Sequence, residues 1–231
     1  MHNRPYRSAL YIPGSKDRAL EKARGLPVDV ILFDLEDAVS PDAKVAARDT
    51  LYAALADDGY GARLKIVRIN ALDTEWGAAD AVAVAAMNCD AILLPKVNGP
   101  DDVDSLAALV PDLPIWAMME TPRGILNAAE IADAPRMGGM VMGTNDLAKD
   151  LNTRFDPARA PLLAALSQCV LAAKAAGIGS AKVHTAVGEP EQHHTTGNRD
   201  AGDQAQQLRK AEAVGVGSHS GPHFPDPGTE P

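Results

Sequence analysis

Cysteine is scarce, with two residues, Cys89 and Cys169, in a chain of 231. They lie in apolar segments far apart in sequence. That excludes a disulfide framework and fits buried free thiols in a reducing compartment. Aromatic residues make up 4% of the chain, the net charge is −9, and no basic stripe interleaved with aromatics occurs, which argues against a nucleic-acid surface. Long hydrophobic runs are also missing: none approaches the ~20 residues needed to span a bilayer. Arg4-Pro5-Tyr6-Arg7 leads straight into a short apolar stretch, unlike a signal-peptide core. The expected setting is cytoplasmic, with small-molecule partners and neither nucleic acid nor membrane.

What is present is an ordinary globular composition, 46% apolar and 23% charged. Up to Ala176, short apolar runs alternate with helical stretches. Strands are predicted at Ser8–Ile12, Val28–Phe33, Leu64–Asn70, Ala91–Leu94, Ile115–Met119 and Gly139–Met142. Helices are predicted from Ser15 to Ala23, from Ser40-Pro41-Asp42 onward, over about Thr74–Ala86, from Asn98-Gly99-Pro100 onward, over about Gly124–Ala132 and over Ala158–Ala176. Serine before proline, then an acid, is a helix-start signal. Ala47, Leu51, Ala54 and Leu55 form one apolar helix face, as do Leu162, Leu163, Leu166, Val170 and Ala173.

Near-continuous apolar strands alternating with helices indicate an α/β fold with a parallel sheet covered on both faces. Six such units suit either a doubly wound sheet or most of a TIM barrel. No Gly-x-Gly-x-x-Gly follows the first strand, which weakens the dinucleotide-binding sheet. Polar residues recur at successive strand ends: Asp34/Glu36/Asp37, Arg68 with Asn70, Lys96, Glu120, and Asn145/Asp146. A barrel gathers such ends round one mouth, so an incomplete (β/α)8 barrel over residues 1–179 is the expected fold. Residues 180–231 hold few large apolar side chains and five of the six histidines. They are expected to be an irregular tail, and His184, His193 and His194 lack metal-ligand spacing.

Glu120 and Asp146, each just past an apolar run, are the candidate divalent-metal pair. The plainer alternative for each is a first-turn acid or cap at a helix N-terminus. Arg68 is either a ligand-gripping guanidinium or a structural partner of Glu36 or Asp37. Lys96 reads as a solvated strand-end charge. Arg123 either meets an anion or caps structure, Gly124 and Gly143 are expected to bring backbone N–H groups close to an anion, and Met118, Met119, Met140 and Met142 are expected to fill the barrel.

Taken in order, Arg7-Ser8-Ala9-Leu10-Tyr11-Ile12-Pro13-Gly14, Asp34-Leu35-Glu36-Asp37-Ala38-Val39, Val67-Arg68-Ile69-Asn70 and Leu94-Pro95-Lys96-Val97 are distinctive. So are Met119-Glu120-Thr121-Pro122-Arg123-Gly124 and Met142-Gly143-Thr144-Asn145-Asp146-Leu147. This ordered set resembles the HpcH/HpaI aldolase and citrate lyase family, in its citrate lyase β-subunit-like and malyl-CoA lyase branch. The resemblance covers Arg7 to Ala176. It implies a TIM barrel, a Mg²⁺ ion held by Glu120 and Asp146, and carbon–carbon cleavage of a 3-hydroxyacyl-CoA to an acyl-CoA and a 2-oxo acid. It further implies a catalytic set of Arg68, Glu36 and Asp37, substrate contacts from Arg68, Glu120 and Gly143, and a trimeric or hexameric homo-oligomer. Thioester hydrolysis on the same scaffold and a catalytically impaired binding remnant are the alternatives. After Gly177 the family pattern stops and strands seven and eight are not found, so the C-terminus reads as frameshifted, truncated or decayed.

Overall fold

The computed structural model describes residues 6, 8–110, 112–154, 156 and 158–180, all within one compact unit, Met1–Thr185. The expected irregular tail, apart from Ser180, lies outside the described residues. Among the described residues, seven strands form one parallel sheet: β1 (Ala9–Pro13), β2 (Val30–Asp34), β3 (Leu64–Arg68), β4 (Ala91–Leu94), β5 (Ile115–Met119), β6 (Met137–Met142) and β7 (Gly179–Ser180). Eight α-helices of the described residues lie between them: α1 (Asp17–Ala23), α2 (Lys44–Ala54), α3 (Gly77–Ala85), α4 (Pro100–Leu109), α5 (Pro122–Leu126), α6 (Ala128–Ala132), α7 (Thr144–Asp150) and α8 (Leu163–Ala175).

The strands pair in simple sequence order, β1 to β7, with no reversal. A doubly wound sheet reverses at its switch point; a barrel does not. The sheet also curls. Val30, Leu32, Ile66, Ala91, Leu93, Trp116, Met118 and Val141 pack into one cluster, joined by Tyr6, Ala9, Tyr11 and Leu64. Tyr11 of β1 reaches across to β5, its hydroxyl 3.7 Å from the Met118 sulfur, and the Tyr6 and Trp116 rings lie 6.0 Å apart. Only a sheet rolled toward closure brings its first and fifth strands together.

Strand parity then fixes the site. Side chains alternate faces, so residues two apart share one. The interior residues Leu32, Ile66, Met118 and Val141 are each followed, two positions on, by Asp34, Arg68, Glu120 and Gly143. These four therefore crown the interior at the carboxyl ends of their strands. By the same parity Met119, Met140 and Met142 face the helices, so of the four methionines expected as barrel filler only Met118 lines the interior.

Four other expectations change. A seventh strand exists, parallel to β6 through Gly139↔Gly179 and Met140↔Ser180. Glycine and serine give it no apolar signal, so only the backbone pairing reveals it. The helix expected over Gly124–Ala132 is two short helices, broken at Asn127. Ser15 does not cap α1, whose N-cap is Lys16. In α8 the buried residues include Leu162 just before it, then Ala165, Cys169, Ala172 and Ala173, while Leu163 and Val170 are exposed. That helix is apolar on all sides, so periodicity cannot choose its face. Gln168 donating to the Ile125 carbonyl at 2.7 Å helps fix its rotation. Among the described residues, no helix is long and apolar enough to cross a membrane.

Candidate active site

The β2–β3 register sets Asp34 beside Arg68. Arg68 donates from Nε to Asp34 Oδ1 at 2.8 Å and from Nη2 to Asp34 Oδ2 at 2.5 Å, a two-point fork. Its Nη1 donates to Asp37 Oδ2 at 3.3 Å and lies 2.8 Å from Glu36 Oε2. The second hydrogen on Nη2 makes no hydrogen bond among the described residues. The guanidinium also stacks over the Tyr11 ring, 5.2 Å from its centroid. Burial works against the charge on Arg68, but the Asp34 hydrogen bonds and the Asp34 and Glu36 charges more than offset it, holding the group above its ordinary value.

Asp34 holds more than Arg68. Its Oδ1 also accepts from the Glu36 N–H at 2.8 Å and its Oδ2 from the Ala38 N–H at 3.1 Å, so the loop after β2 wraps round one carboxylate. Lys44 closes that loop from outside. It is buried and donates to the Leu35 and Glu36 carbonyls at 3.1 and 2.8 Å. Asn70 donates to the Leu35 carbonyl at 2.9 Å and to Asp80 Oδ2 at 2.6 Å, and Arg48 binds the other Asp80 oxygen through Nε and Nη2.

Glu120 is 2% exposed. Its Oε1 accepts from the Lys96 backbone N–H at 2.8 Å. Its Oε2 lies against Gly143, where an added Cβ would fall 2.5 Å from it. Burial pushes the Glu120 carboxyl up to about 7; the Lys96 N–H opposes that rise, and the negative charges of Glu36 and Asp146 add to it. Asp146 stands half-buried in the first turn of α7 and accepts no hydrogen bond among the described residues. Neither acid therefore acts as a side-chain cap. At α5 that task belongs to Thr121, whose hydroxyl accepts from the Gly124 N–H at 3.0 Å.

Glu36 and Asp37 thus contact Arg68, and the charges of Glu36, Arg68 and Asp146 act on Glu120. One reading is corrected and two are extended. The Gly143 N–H donates to the Met119 carbonyl at 3.1 Å and the Gly124 N–H to Thr121, so neither is offered to an anion. Both glycines serve close packing instead, Gly143 against Glu120 and Gly124 against the Val97 carbonyl. Lys96 stays exposed at the strand end, as expected, but it is paired: its ammonium sits 2.6 Å from Glu36 Oε1, and its φ of 55° is left-handed. Arg68 does pair with Glu36 and Asp37 as expected, and Asp34 is a further, two-point partner that the β2–β3 register supplies.

These residues fit a hard divalent cation. The donors are oxygens, Glu120 Oε2 is freed by the missing Cβ at Gly143, and Asp146 is unspent. Among the described residues no group of three or more His, Cys, Asp or Glu surrounds a single point. A two-carboxylate site of this kind suits Mg²⁺, which completes its shell from water and ligand.

The HpcH/HpaI aldolase/citrate lyase family model matches residues 7–202, well past Ala176 where the motif resemblance ends. The chain belongs to this family. A (3S)-malyl-CoA thioesterase of Cereibacter sphaeroides is 60% identical over 174 residues, covering 75% of this chain and 61% of that protein. The citrate lyase β subunit of Escherichia coli K12 is 35% identical over 187 residues, 76% of this chain and 62% of that one. Against the solved citrate lyase β subunit of Mycobacterium tuberculosis, complexed with oxaloacetate and magnesium, the TM-score is 0.65 at 31% identity, over 76% of this chain and 77% of that chain. The chain thus spans about three-fifths of the length of the curated relatives it matches.

Proposed function

We propose that this chain is a Mg²⁺-dependent enzyme of acyl-CoA metabolism that acts on a malyl-CoA-type thioester and hydrolyses it to CoA and the free hydroxy diacid. The observation that carries the site is the buried Glu120 carboxylate, pinned at one oxygen by Lys96 and bare at the other beside Gly143, with the Asp146 charge acting on it. The 60% identity to a (3S)-malyl-CoA thioesterase supports hydrolysis.

In this reading Glu120 and Asp146 hold the ion. When bound, Mg²⁺ supplies charge that holds the ligand's carboxylate and polarises the oxygen next to it. Arg68 binds the ligand carboxylate through the one N–H left uncommitted among the described residues while its fork stays on Asp34, an arrangement that a lysine, with no planar fork, could not hold. Asp34 keeps the guanidinium plane fixed, while Glu36 and Asp37 set its terminal nitrogen. The chain works in the cytoplasm as a homo-oligomer.

Carbon–carbon cleavage to an acyl-CoA and a 2-oxo acid is the second reading. It is favoured by the M. tuberculosis relative, solved with oxaloacetate and magnesium. Product analysis with (3S)-malyl-CoA and Mg²⁺ separates the two. CoA plus malate means hydrolysis; acetyl-CoA plus glyoxylate means a lyase. If neither appears and Mg²⁺ gives no thermal stabilisation, the chain is a remnant and both readings fail. Light scattering on the same preparation checks the oligomer.

A further inference from the structure

Lys96 is an exposed strand-end lysine whose contacts no sequence pattern suggests. It follows Pro95 at the end of β4 and takes a left-handed backbone, φ 55°, that glycine adopts freely and a lysine does not. It makes two contacts, one from its backbone and one from its side chain. Its N–H meets Glu120 Oε1 at 2.8 Å, and its ammonium meets Glu36 Oε1 at 2.6 Å. Glu36 in turn faces Arg68 Nη1 at 2.8 Å through its other oxygen, which has no hydrogen-bond partner of good geometry. Lys96 therefore touches both the carboxylate assigned to the metal and the carboxylate that competes for Arg68.

We propose that Lys96 is a positioning residue with two separable arms. Its backbone aims the free oxygen of Glu120 at the metal position, and its ammonium balances Glu36 so that Arg68 keeps its pull on an incoming carboxylate. This rests on the reading of Glu120 as a metal ligand and Arg68 as the anion grip. Backbone strain at such a place persists only when surrounding contacts determine it. Here the two contacts are the backbone N–H with Glu120 and the ammonium with Glu36. The ammonium is half exposed, with its side chain 48% accessible, while Glu36 is 8% accessible. The exposed cation thus answers a buried anion at the mouth. Without it, Glu36 has Arg68 as its one remaining cationic partner among the described residues, and the guanidinium is drawn more tightly into its own carboxylates.

Lys96→Gly separates the arms in the full 231-residue chain. It retains the N–H and accepts the left-handed turn, but removes the ammonium. Mg²⁺ affinity, read by calorimetry and by the thermal shift with Mg²⁺ alone, is expected to stay within about threefold of wild type. Affinity for malate or oxaloacetate in saturating Mg²⁺ is expected to fall at least about tenfold, the scale for removing one partner of a charge pair. Lys96→Arg should restore it. Adding Glu36→Gln to Lys96→Gly should recover much of the lost affinity, because the uncompensated charge is gone. A merely structural lysine would show no such recovery. If Lys96→Gly binds the diacid like wild type, or the double variant is as weak as the single one, the inference fails while the metal reading stands. If wild type itself binds neither Mg²⁺ nor diacid, both fall.

Discussion

Gly143→Ala tests the proposed metal site through a single methyl group. The backbone at Gly143, φ −89° and ψ 78°, is open to alanine, so any cost is spatial. The new Cβ would lie 2.5 Å from Glu120 Cβ and 2.5 Å from Glu120 Oε2, well inside van der Waals contact. Neither side can yield cheaply. Gly143 is tied to β5 by its bond to the Met119 carbonyl, and β5 is paired on both edges, to β4 and β6. Rotating Glu120 relieves only the clash at Oε2, breaking the 2.8 Å bond from Lys96 and turning the carboxylate away, while the clash between the two Cβ atoms also forces the backbones apart. Overpacking of this kind costs about 1–3 kcal/mol. Losing a hydrogen bond to a charged group costs about 1.5–3 kcal/mol. If the second cost falls on the metal-bound state, Mg²⁺ affinity drops about 10- to 100-fold, and Tm without metal falls by about 2–4 °C for each kcal/mol. Calorimetric Mg²⁺ titration, with circular dichroism to confirm a folded chain, reads both. A Gly143→Ala protein with wild-type Tm and wild-type Mg²⁺ affinity would show that Glu120 does not occupy this niche or does not bind the ion.

Three further outcomes are expected. Because the Glu120 carboxyl is raised to about 7, protons compete with the ion. Mg²⁺ affinity should weaken by about tenfold per pH unit below 7, and an affinity constant from pH 5.5 to 8.5 would contradict this. In metal-free protein the same raised pKa contributes stability that is full below the ordinary carboxyl value and lost as pH rises through about 7. Arg68→Met should destabilise the chain by about 3–5 kcal/mol in urea, since it leaves Asp34 buried and unpaired. Arg68→Lys should retain more stability yet lose diacid binding with the fork, and equal losses in both would mark Arg68 as purely structural. Burial pushes the Cys89 and Cys169 thiols up to about 12, so alkylation at pH 8 should be slow in native protein and fast in urea; rapid native labelling of both would be inconsistent with the packing of α8 and the β4 approach.

The sequence by itself determined the elements and the rim. Runs such as Val30–Phe33 and Ile115–Met119 have little choice but to be buried strands, because water excludes them and their length suits a strand. A carboxylate or guanidinium directly after such a run falls at the strand's carboxyl end whatever the fold, so Glu120, Asp146 and Arg68 were legible as rim residues. The relations between strands belong to the tertiary structure. Asp34 became the partner of Arg68 through the β2–β3 register, which no local pattern encodes. The two-residue β7 exists only because β6 offers it a backbone edge. Gly143 looked like an anion-binding turn until the opposing strand set Glu120 against it and Met119 took its N–H. Lys96 was legible as an exposed strand-end charge, but not its left-handed turn or its contacts with two acids just past other strands, because propensity carries no hint of them. Local chemistry is written residue by residue, but contact depends on register, parity and curl, and these are settled only when all the strands pack together.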